Sequence, residues 1–352
     1  MNFNNKNIVL YGAGTLGKQV LAGLQQKGFQ PVAFVEDCEE KRFVAGLPVL
    51  PLPEAHNLYR DESLYIISIL NANFSYKQAV KKLAKLGLKN VMSFMAFYAA
   101  FPESFLPYYC IGRPEILSAA ADKIHTAINL LSDKQSRDEF LSHMHFRRDL
   151  QFSVLPEPST PAYFPSDLFP KLANDISFVD LGAFNGDTVK LFLQRTQNKY
   201  GKIWALEPDA KNFTALLSFA ESLDGKDKEK ISCLNLAIGD QVGEIGFHSE
   251  GSEGSCYSAD SGEKVQTITL DSFFLDKAVS FIKFDIEGME MQALAGGQKL
   301  IASKKPVLAV AAYHKPEDLW EIPIYIKSLN PGYRLYLRTE GYDGMGLVYY
   351  AV

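Results

Sequence analysis

Two glycine-rich turns carry the residues whose types and spacing are best suited to bind a small ligand. The second turn, VDLGAFNGDT (179–188), follows an apolar run, precedes a helical pattern and has the spacing D-x-G-x-x-x-G. Gly182 and Gly186 allow a tight turn and a close approach of the backbone to a ligand. Asp180 at the strand end would repel a phosphate, but it suits a ligand with ammonium and sulfonium groups. The turn therefore predicts a site for a molecule such as S-adenosylmethionine.

Polar residues after the next two strands extend this predicted site. Glu207 ends the second strand in ALEPD (205–209), where a carboxylate could accept hydrogen bonds from ribose hydroxyls. We expect the third strand to end at 235–238, where an adenine would lie. Asp187 either contacts the ligand or only caps the following helix. The predicted cofactor-binding residues of this turn and its neighbours are Asp180, Gly182, Gly186, Asp187, Glu207, Asn235 and Ala237.

Asp285, Glu287 and His314 are the candidate catalytic residues. Asp285 and Glu287 end the fourth strand of the series, and His314 ends the fifth. The two carboxylates could bind a divalent metal, act as a general base or cap the next helix. Methyl transfer is a direct displacement that needs alignment, but a hydroxyl acceptor must also lose its proton. Asp285 is the first candidate for that base and His314 the second, since imidazole titrates near neutral pH. We predict no dedicated metal site.

The first turn, GAGTLG (12–17), has the spacing typical of a dinucleotide site. It follows a strand, opens a helix and has Glu36 at the end of the second strand, as such sites require. Gly12, Gly14, Gly17 and Glu36 are therefore candidate ligands for NAD(P) or a nucleotide sugar. The alternative is a degenerate fold that binds nothing and serves in acceptor docking or dimerisation. No Tyr-x-x-x-Lys pair accompanies the turn, which argues against hydride chemistry.

Several segments between about residue 132 and the end resemble the FkbM family of methyltransferases. The segments are VDLGAFNGDT (179–188), ALEPD (205–209), NLAIGD (235–240), TLDSF (269–273), IKFDIEGMEMQAL (282–294) and YHKPEDLWEIP (313–323). The resemblance implies a seven-stranded methyltransferase fold, S-adenosylmethionine as the donor and O-methylation of a hydroxyl, with sugars and polyketide-like molecules as typical acceptors. RTEGYDGM (338–345) departs from the family, because many relatives carry a histidine-containing segment after that arginine.

Strand and helix patterns alternate in both halves of the chain, which is typical of parallel sheets built from βαβ units. We therefore predict an α/β fold with two doubly wound domains. Residues 1–100 would form a Rossmann-like nucleotide-binding domain, similar to those that precede some sugar-modifying enzymes. Residues 101–165 would be a helical and proline-rich connector, and 166–352 the methyltransferase domain.

Local sequence patterns also predict individual helices, strands and a loop. We expect single helices over 115–131, 137–150 and 289–303, and a strand over 231–237. The polar, glycine-rich segment 249–262 is typical of a mobile loop. The last two strands, 333–337 and 347–351, are separated by a short turn and should pair antiparallel.

Composition limits the class of protein. The chain has 352 residues and a formal net charge of −5, which argues against a nucleic-acid surface. Its four cysteines show no C-x-x-C spacing, which favours a reducing compartment. The longest apolar stretches are far below the ~20 residues that span a bilayer, and the first residues do not resemble a signal peptide. We expect a cytoplasmic protein.

The leading hypothesis is an S-adenosylmethionine-dependent O-methyltransferase. Its acceptor would be a small molecule or glycan, such as a sugar or a nucleotide-linked sugar. One alternative is an NAD(P)-linked oxidoreductase or epimerase that acts on a nucleotide sugar through the first turn. Another is a non-catalytic assembly protein that retains both folds. The sequence leaves open whether the chain forms a homo-oligomer.

Overall fold

The computed structural model describes residues 7–37, 42–59, 63–248, 256–257 and 264–352. The chain divides into two compact units. Unit 1 consists of Met1–Glu115, Leu141–Glu157 and Gly341–Met345, and unit 2 of Ile116–Phe140, Pro158–Glu340 and Gly346–Val352. Residues of the predicted connector, 101–165, are thus shared between the two units.

Unit 1 contains a six-stranded sheet. Its first elements are β1 (Ile8–Tyr11), α1 (Thr15–Gln26), β2 (Pro31–Glu36), β3 (Arg42–Val44), β4 (Leu47–Pro51), α2 (Leu52–Tyr59), β5 (Leu64–Ile67), α3 (Tyr76–Lys85), β6 (Val91–Ser93), α4 (Phe94–Ala100) and α5 (Pro102–Phe105). The strand order is β3-β4-β2-β1-β5-β6, and all neighbours except β3 and β4 run parallel. All four residues of β1 are buried, as expected for a central strand with both faces covered.

Three helices follow, and one of them differs from the expectation. They are α6 (Pro114–Ala119), α7 (Ala121–Asn129) and α8 (Lys134–Asp149). The single helix expected over 115–131 is thus interrupted at Ala120, whereas α8 closely matches the helix expected over 137–150. Within the described ranges, no helix is both long and apolar enough to cross a membrane.

Unit 2 is built around a seven-stranded sheet. Its elements are β7 (Phe178–Leu181), α9 (Asp187–Thr196), β8 (Ile203–Leu206), α10 (Ala210–Glu221), α11 (Gly225–Lys230), β9 (Ile231–Leu234), β10 (Ala237–Ile238), β11 (Gly243–His248), β12 (Cys256–Tyr257), β13 (Lys264–Ile268), α12 (Leu270–Phe274), β14 (Phe281–Phe284), α13 (Glu290–Ala295), α14 (Gln298–Lys304), β15 (Val307–Ala311), α15 (Asp318–Leu329), β16 (Leu335–Thr339) and β17 (Leu347–Ala351). The order is β16-β17-β15-β14-β7-β8-β9. The strand β17 pairs antiparallel with β16, which confirms the expected pairing of the last two strands.

The strand order of unit 2 reverses between β7 and β14. From β7 the chain adds β8 and β9 on one side, and it then returns to add β14 and β15 on the other. Open α/β sheets bind ligands at the carboxyl ends of strands where the order reverses. The parallel register places Lys283 of β14 beside Asp180 of β7. The two segments with the strongest sequence signals therefore meet at this point.

The third strand of unit 2 is shorter than expected. β9 ends at Leu234, and Ala237 lies in β10, which pairs with β13 in a separate four-stranded sheet of order β10-β13-β11-β12. The side-chain amide of Asn235 donates to the carbonyl oxygens of Glu207 and Pro208, at 2.8 and 3.0 Å. In a longer strand, backbone N–H groups would have donated these hydrogen bonds. The expectation that Ala237 ends the third strand was wrong. Most of the expected loop, 249–262, lies outside the described residues.

The helix expected over 289–303 is also two helices, α13 and α14, separated by a glycine pair. A Cβ atom on Gly296 would lie only 2.1 Å from the carbonyl oxygen of Gly239. The absence of a side chain lets the end of α13 pack directly on the segment after β10. This close approach requires glycine at position 296, where α13 ends.

Gly182 makes the turn after β7 possible. Its φ is +77°, and a Cβ atom at this position would lie 1.9 Å from the carbonyl oxygen of Asp285. Both the left-handed backbone and the contact with the segment after β14 require glycine.

We therefore expect Gly182→Ala to destabilise the protein by roughly 2 kcal/mol or more, because it adds backbone strain to a backbone clash. Gly225→Ala is the matched control, since no atom lies within 4 Å of its added Cβ, and it should stay within about 0.5 kcal/mol of the wild type or be more stable. Urea unfolding measures both values. Equal stability of the two variants would contradict the assigned turn geometry.

A buried acid at the start of α15 predicts a pH-dependent contribution to stability. Asp318 is 2% exposed and accepts a hydrogen bond from the Lys315 backbone nitrogen at 2.7 Å. Burial, with the nearby Glu290 carboxylate, raises the pKa of Asp318 to about 7. A raised folded-state pKa gives stability that is complete below the unfolded value of about 4 and lost as the pH rises through about 7.

We expect Asp318→Asn, which keeps the accepting oxygen, to remove this dependence. Between pH 4 and pH 8 the free energy of unfolding of the wild type should fall by a few kcal/mol, on the order of the pKa shift, relative to the variant. Denaturant titrations at the two pH values measure the difference. A gap between the two proteins that is the same at both pH values would contradict the assignment.

Candidate active site

Asp180 lies fully buried at the centre of the site, paired with a lysine. Its Oδ1 accepts a hydrogen bond from Lys283 Nζ at 2.9 Å, and the same ammonium donates to the Gly182 carbonyl at 2.8 Å. Asp180 Oδ2 is buried and has no hydrogen-bond partner among the described residues. Burial raises the pKa of Asp180 to about 6, although Lys283 opposes the shift. Lys283 thus holds the turn against β14 and leaves one carboxylate oxygen unengaged.

Lys283 changes the electrostatic argument made from the sequence. Its ammonium also lies 3.9 Å from Asp285 Oδ2, so two carboxylates share one positive charge. Asp187 adds further negative potential at Asp180. The site still favours a cationic ligand, but less strongly than an unpaired Asp180 would. The signal for this lysine was its place inside the buried run Phe281–Phe284, where an isolated charge needs a partner.

Glu207 is held at the end of β8 by backbone donors from two turns. Its Oε2 accepts from the Phe184 nitrogen and its Oε1 from the Asp209 nitrogen, both at 2.9 Å. Burial raises the pKa of Glu207 to about 7. The Phe184 bond joins Glu207 directly to the turn that starts at Asp180, as the predicted cofactor site requires. Each carboxylate oxygen keeps a lone pair for a further donor.

The remaining predicted cofactor residues have more local roles. Gly186 adopts φ +90° as the N-cap of α9, and Asp187 accepts a hydrogen bond from the Thr188 nitrogen at 2.6 Å. The Asp187 carboxylate thus accepts from a backbone donor in the first turn of α9, and its contact with a ligand stays a prediction. Asn235 braces the end of β8, and Ala237 lies buried in β10.

Asp285 is fixed from both sides by tyrosines that the sequence analysis did not assign as its partners. Tyr163 donates to Oδ2 and Tyr313 to Oδ1, each at 2.7 Å. Burial opposes the charged form, but Lys283 and His314 hold the pKa of Asp285 below its usual value. A carboxylate stabilised in this way is a weak proton acceptor.

His314 lies among three carboxylates. Its Nε2 is 3.5 Å from Asp285 Oδ1 and 3.6 Å from Glu287 Oε2, and its Nδ1 is 3.0 Å from Glu290 Oε1. Burial alone would lower the pKa of His314, but Glu290 and Glu287 raise it well above the usual value. The surrounding carboxylates therefore favour positive charge at this ring. Glu290 was not predicted; its signal was a carboxylate at the first position of α13.

The three candidate catalytic residues thus differ in chemical state. The neighbouring charges favour the carboxylate form of Asp285 and the protonated form of His314, which makes each a weaker proton acceptor than its residue type implies. The Glu287 side chain is 29% exposed, and burial raises its pKa. Glu287 is the member of the set with the state and the access to take a proton.

In unit 1 Glu36, at the end of β2, lies against the backbone of the first glycine turn. Glu36 Oε1 accepts from the Ala13 nitrogen at 3.3 Å, and its Oε2 pairs with Arg42. Gly12, Gly14 and Gly17 lie between β1 and the first turns of α1. Because Arg42 offsets the Glu36 charge, a ligand at this turn would meet a neutral pair. Binding of a nucleotide here stays a prediction.

Comparison with solved structures shows a fold shared along the whole chain. The crystal structure of the methyltransferase FkbM from Methylobacillus flagellatus KT matches with a TM-score of 0.81 and 21% identity, covering 99% of this chain and 90% of that chain. An S-adenosylmethionine-dependent methyltransferase from Aquifex aeolicus matches with a TM-score of 0.30 and 14% identity, over 50% of this chain and 81% of its own. No curated protein is significantly similar in sequence.

The family comparison covers the site directly. Residues 180–343 match the model described as the methyltransferase FkbM domain. That segment begins at Asp180 and includes Glu207, Asp285 and His314. The motifs, the reversal of strand order and this match agree with one another. The chain therefore contains an FkbM methyltransferase domain at residues 180–343.

Proposed function

We propose that unit 2 transfers a methyl group from S-adenosylmethionine to a hydroxyl of a sugar, a nucleotide-linked sugar or a related small molecule. The observation that carries the proposal is the presence of two carboxylates, Asp180 and Glu207, on neighbouring strands beside the point where the strand order reverses, inside the FkbM segment. Both carboxylates are buried, and backbone or lysine donors hold both in place.

The two carboxylates bind different groups of S-adenosylmethionine in this proposal. Asp180 Oδ2, which has no hydrogen-bond partner in the described part of the chain, provides the acceptor for the donor's ammonium group. Glu207 provides lone pairs for the ribose hydroxyls. Gly182, whose missing side chain leaves room for the Asp285 carbonyl, allows the tight turn between them.

The transfer itself needs alignment and the removal of one proton. The acceptor oxygen would form a bond to the methyl carbon while the carbon–sulfur bond breaks. The electron pair of the broken bond would stay on sulfur, which changes from a sulfonium to a neutral thioether. The hydroxyl proton passes to Glu287. Asp285, held by its two tyrosines, orients the acceptor hydroxyl. Most of the rate enhancement comes from holding the two reactants in line.

The first prediction from this proposal concerns donor binding. Asp180→Asn and Glu207→Gln should each weaken S-adenosylmethionine binding at least tenfold, about 1.4 kcal/mol, because each removes a charge that faces the donor. Glu221→Gln, an exposed carboxylate at the end of α10, should bind like the wild type. Isothermal titration of the full chain measures the affinities, with thermal unfolding as the check on folding.

Two results would overturn the donor assignment. One is a wild-type chain that shows no saturable S-adenosylmethionine binding. The other is unchanged affinity in both variants. Because Asp180→Asn leaves buried Lys283 with less compensation and should lower stability, Glu207→Gln provides the independent test.

The second prediction concerns proton removal. Glu287→Gln should lower kcat by roughly 10²–10⁴-fold, the usual contribution of a general base, while donor affinity stays unchanged. Glu317→Gln removes a nearby charge beyond the site and should keep the wild-type kcat. Release of S-adenosylhomocysteine with a panel of sugars and nucleotide sugars measures the rates. A Glu287→Gln variant with wild-type kcat would exclude Glu287 as the base.

A further inference from the structure

Three potential metal ligands converge beside the proposed acceptor site. Asp285 follows β14, Glu290 begins α13 and His314 follows β15, and one donor atom from each lies within 4.8 Å of the other two. The tertiary fold brings these residues together, because Asp285 and His314 come from the ends of neighbouring strands. Two carboxylates and an imidazole are a common ligand set for divalent cations.

One carboxylate oxygen on the buried side of this cluster lacks a hydrogen-bond partner. Glu290 Oε2 is buried without a hydrogen bond to any residue that the structure describes, while His314 Nδ1 lies 3.0 Å from Glu290 Oε1 in an ion-pair arrangement. The exposed fractions of the two side chains are only 1% and 4%. Leaving a buried polar atom unsatisfied costs about 1–3 kcal/mol, and a bound ion is one of the explanations for such an atom. The unpartnered Glu290 oxygen therefore points to a ligand.

The surroundings orient the ligands as in other metal sites. Tyr163 and Tyr313 each donate to Asp285, and the Ile286 nitrogen donates to Glu290 Oε1 at 2.9 Å. Hydrogen bonds of this kind fix the direction of metal-binding groups. Asp285 is 23% exposed, so the cluster is closed on the Glu290 side and open on the other. Water or a substrate oxygen could complete the coordination from the open side.

We propose that Asp285, Glu290 and His314 bind one divalent transition-metal cation. The imidazole favours Mn²⁺ or Zn²⁺ over Mg²⁺ and Ca²⁺, whose preferred ligands are all oxygen. Glu287, 3.6 Å from His314, adds negative charge next to the cation. The binding itself does not depend on the proposed function. A role for the cation does: it would ligate the acceptor hydroxyl and assist loss of its proton to Glu287.

Direct metal titration of the full chain tests the site. After chelator treatment and buffer exchange, the wild type should bind one Mn²⁺ per chain, measured by the loss of the free-Mn²⁺ electron paramagnetic resonance signal. Glu290→Gln and His314→Gln should each weaken binding at least ~10-fold, since each removes a ligand. Glu317→Gln, a matched loss of charge just beyond His314, should bind like the wild type. Zn²⁺ should displace the Mn²⁺.

Thermal unfolding provides a second measurement. A cation that binds only the folded chain raises its unfolding temperature with concentration, so Mn²⁺ should stabilise the wild type and Glu317→Gln but neither ligand variant. The proposal is overturned by absence of stoichiometric binding or by equal affinity in the wild type and both ligand variants.

Donor binding separates this proposal from the proposed function. S-adenosylmethionine should bind the chelator-treated wild type and Glu290→Gln with the same affinity, because Asp180 and Glu207 lie outside the cluster. Stoichiometric Mn²⁺ binding without donor binding would uphold the metal site and refute the methyltransferase proposal. The reverse result would refute only the metal site.

Discussion

The buried ion pair between Lys283 and Asp180 is the interaction on which the site depends. It joins adjacent strands at the point where the strand order reverses, and the same ammonium also binds the Gly182 carbonyl. A buried pair of this kind gives little net stability, because desolvation offsets most of the attraction, but removing one partner is costly. Its main effect is positional. It sets the turn that follows Asp180 at a fixed distance from the segment that carries Asp285.

A second consequence of burial is that each ionisable group in the site takes its state from its neighbours. Lys283 is shared by Asp180 and Asp285, which keeps Asp285 charged while Asp180 has a raised pKa. His314, between Asp285, Glu287 and Glu290, has its pKa raised well above the usual value. Residue type therefore does not reveal the charge state that each group prefers in the folded chain.

The two units of the chain differ in how strongly their residues support a function. In unit 2 the FkbM segment, the strand order and the buried carboxylates all support the proposed methyl transfer. In unit 1 the carboxylate of Glu36 contacts the glycine turn and pairs with Arg42, and nucleotide binding there stays a prediction. The structural likeness to the Methylobacillus FkbM protein covers 99% of this chain, so unit 1 is part of the shared fold.

The sequence by itself determined what depends on local patterns. Alternating apolar runs predicted the parallel sheets, the D-x-G-x-x-x-G spacing located the turn at Asp180, and the short final connection predicted the antiparallel pair at the end. The positions of Glu207 and Asp285 could be predicted because each directly follows a strand, and parallel strands place their carboxyl ends on one edge.

Only the tertiary structure decided which distant groups meet. The pairing of Lys283 with Asp180, the meeting of Glu290 with His314 and the tyrosines that hold Asp285 all join residues on different strands and helices. The glycine at position 296, which packs on Gly239, and the pairing of Ala237 in a second sheet also involve segments that are distant along the chain. Strand order and packing determine these contacts, and burial then sets the charge of each group. Neither can be read from the spacing of residues along the chain.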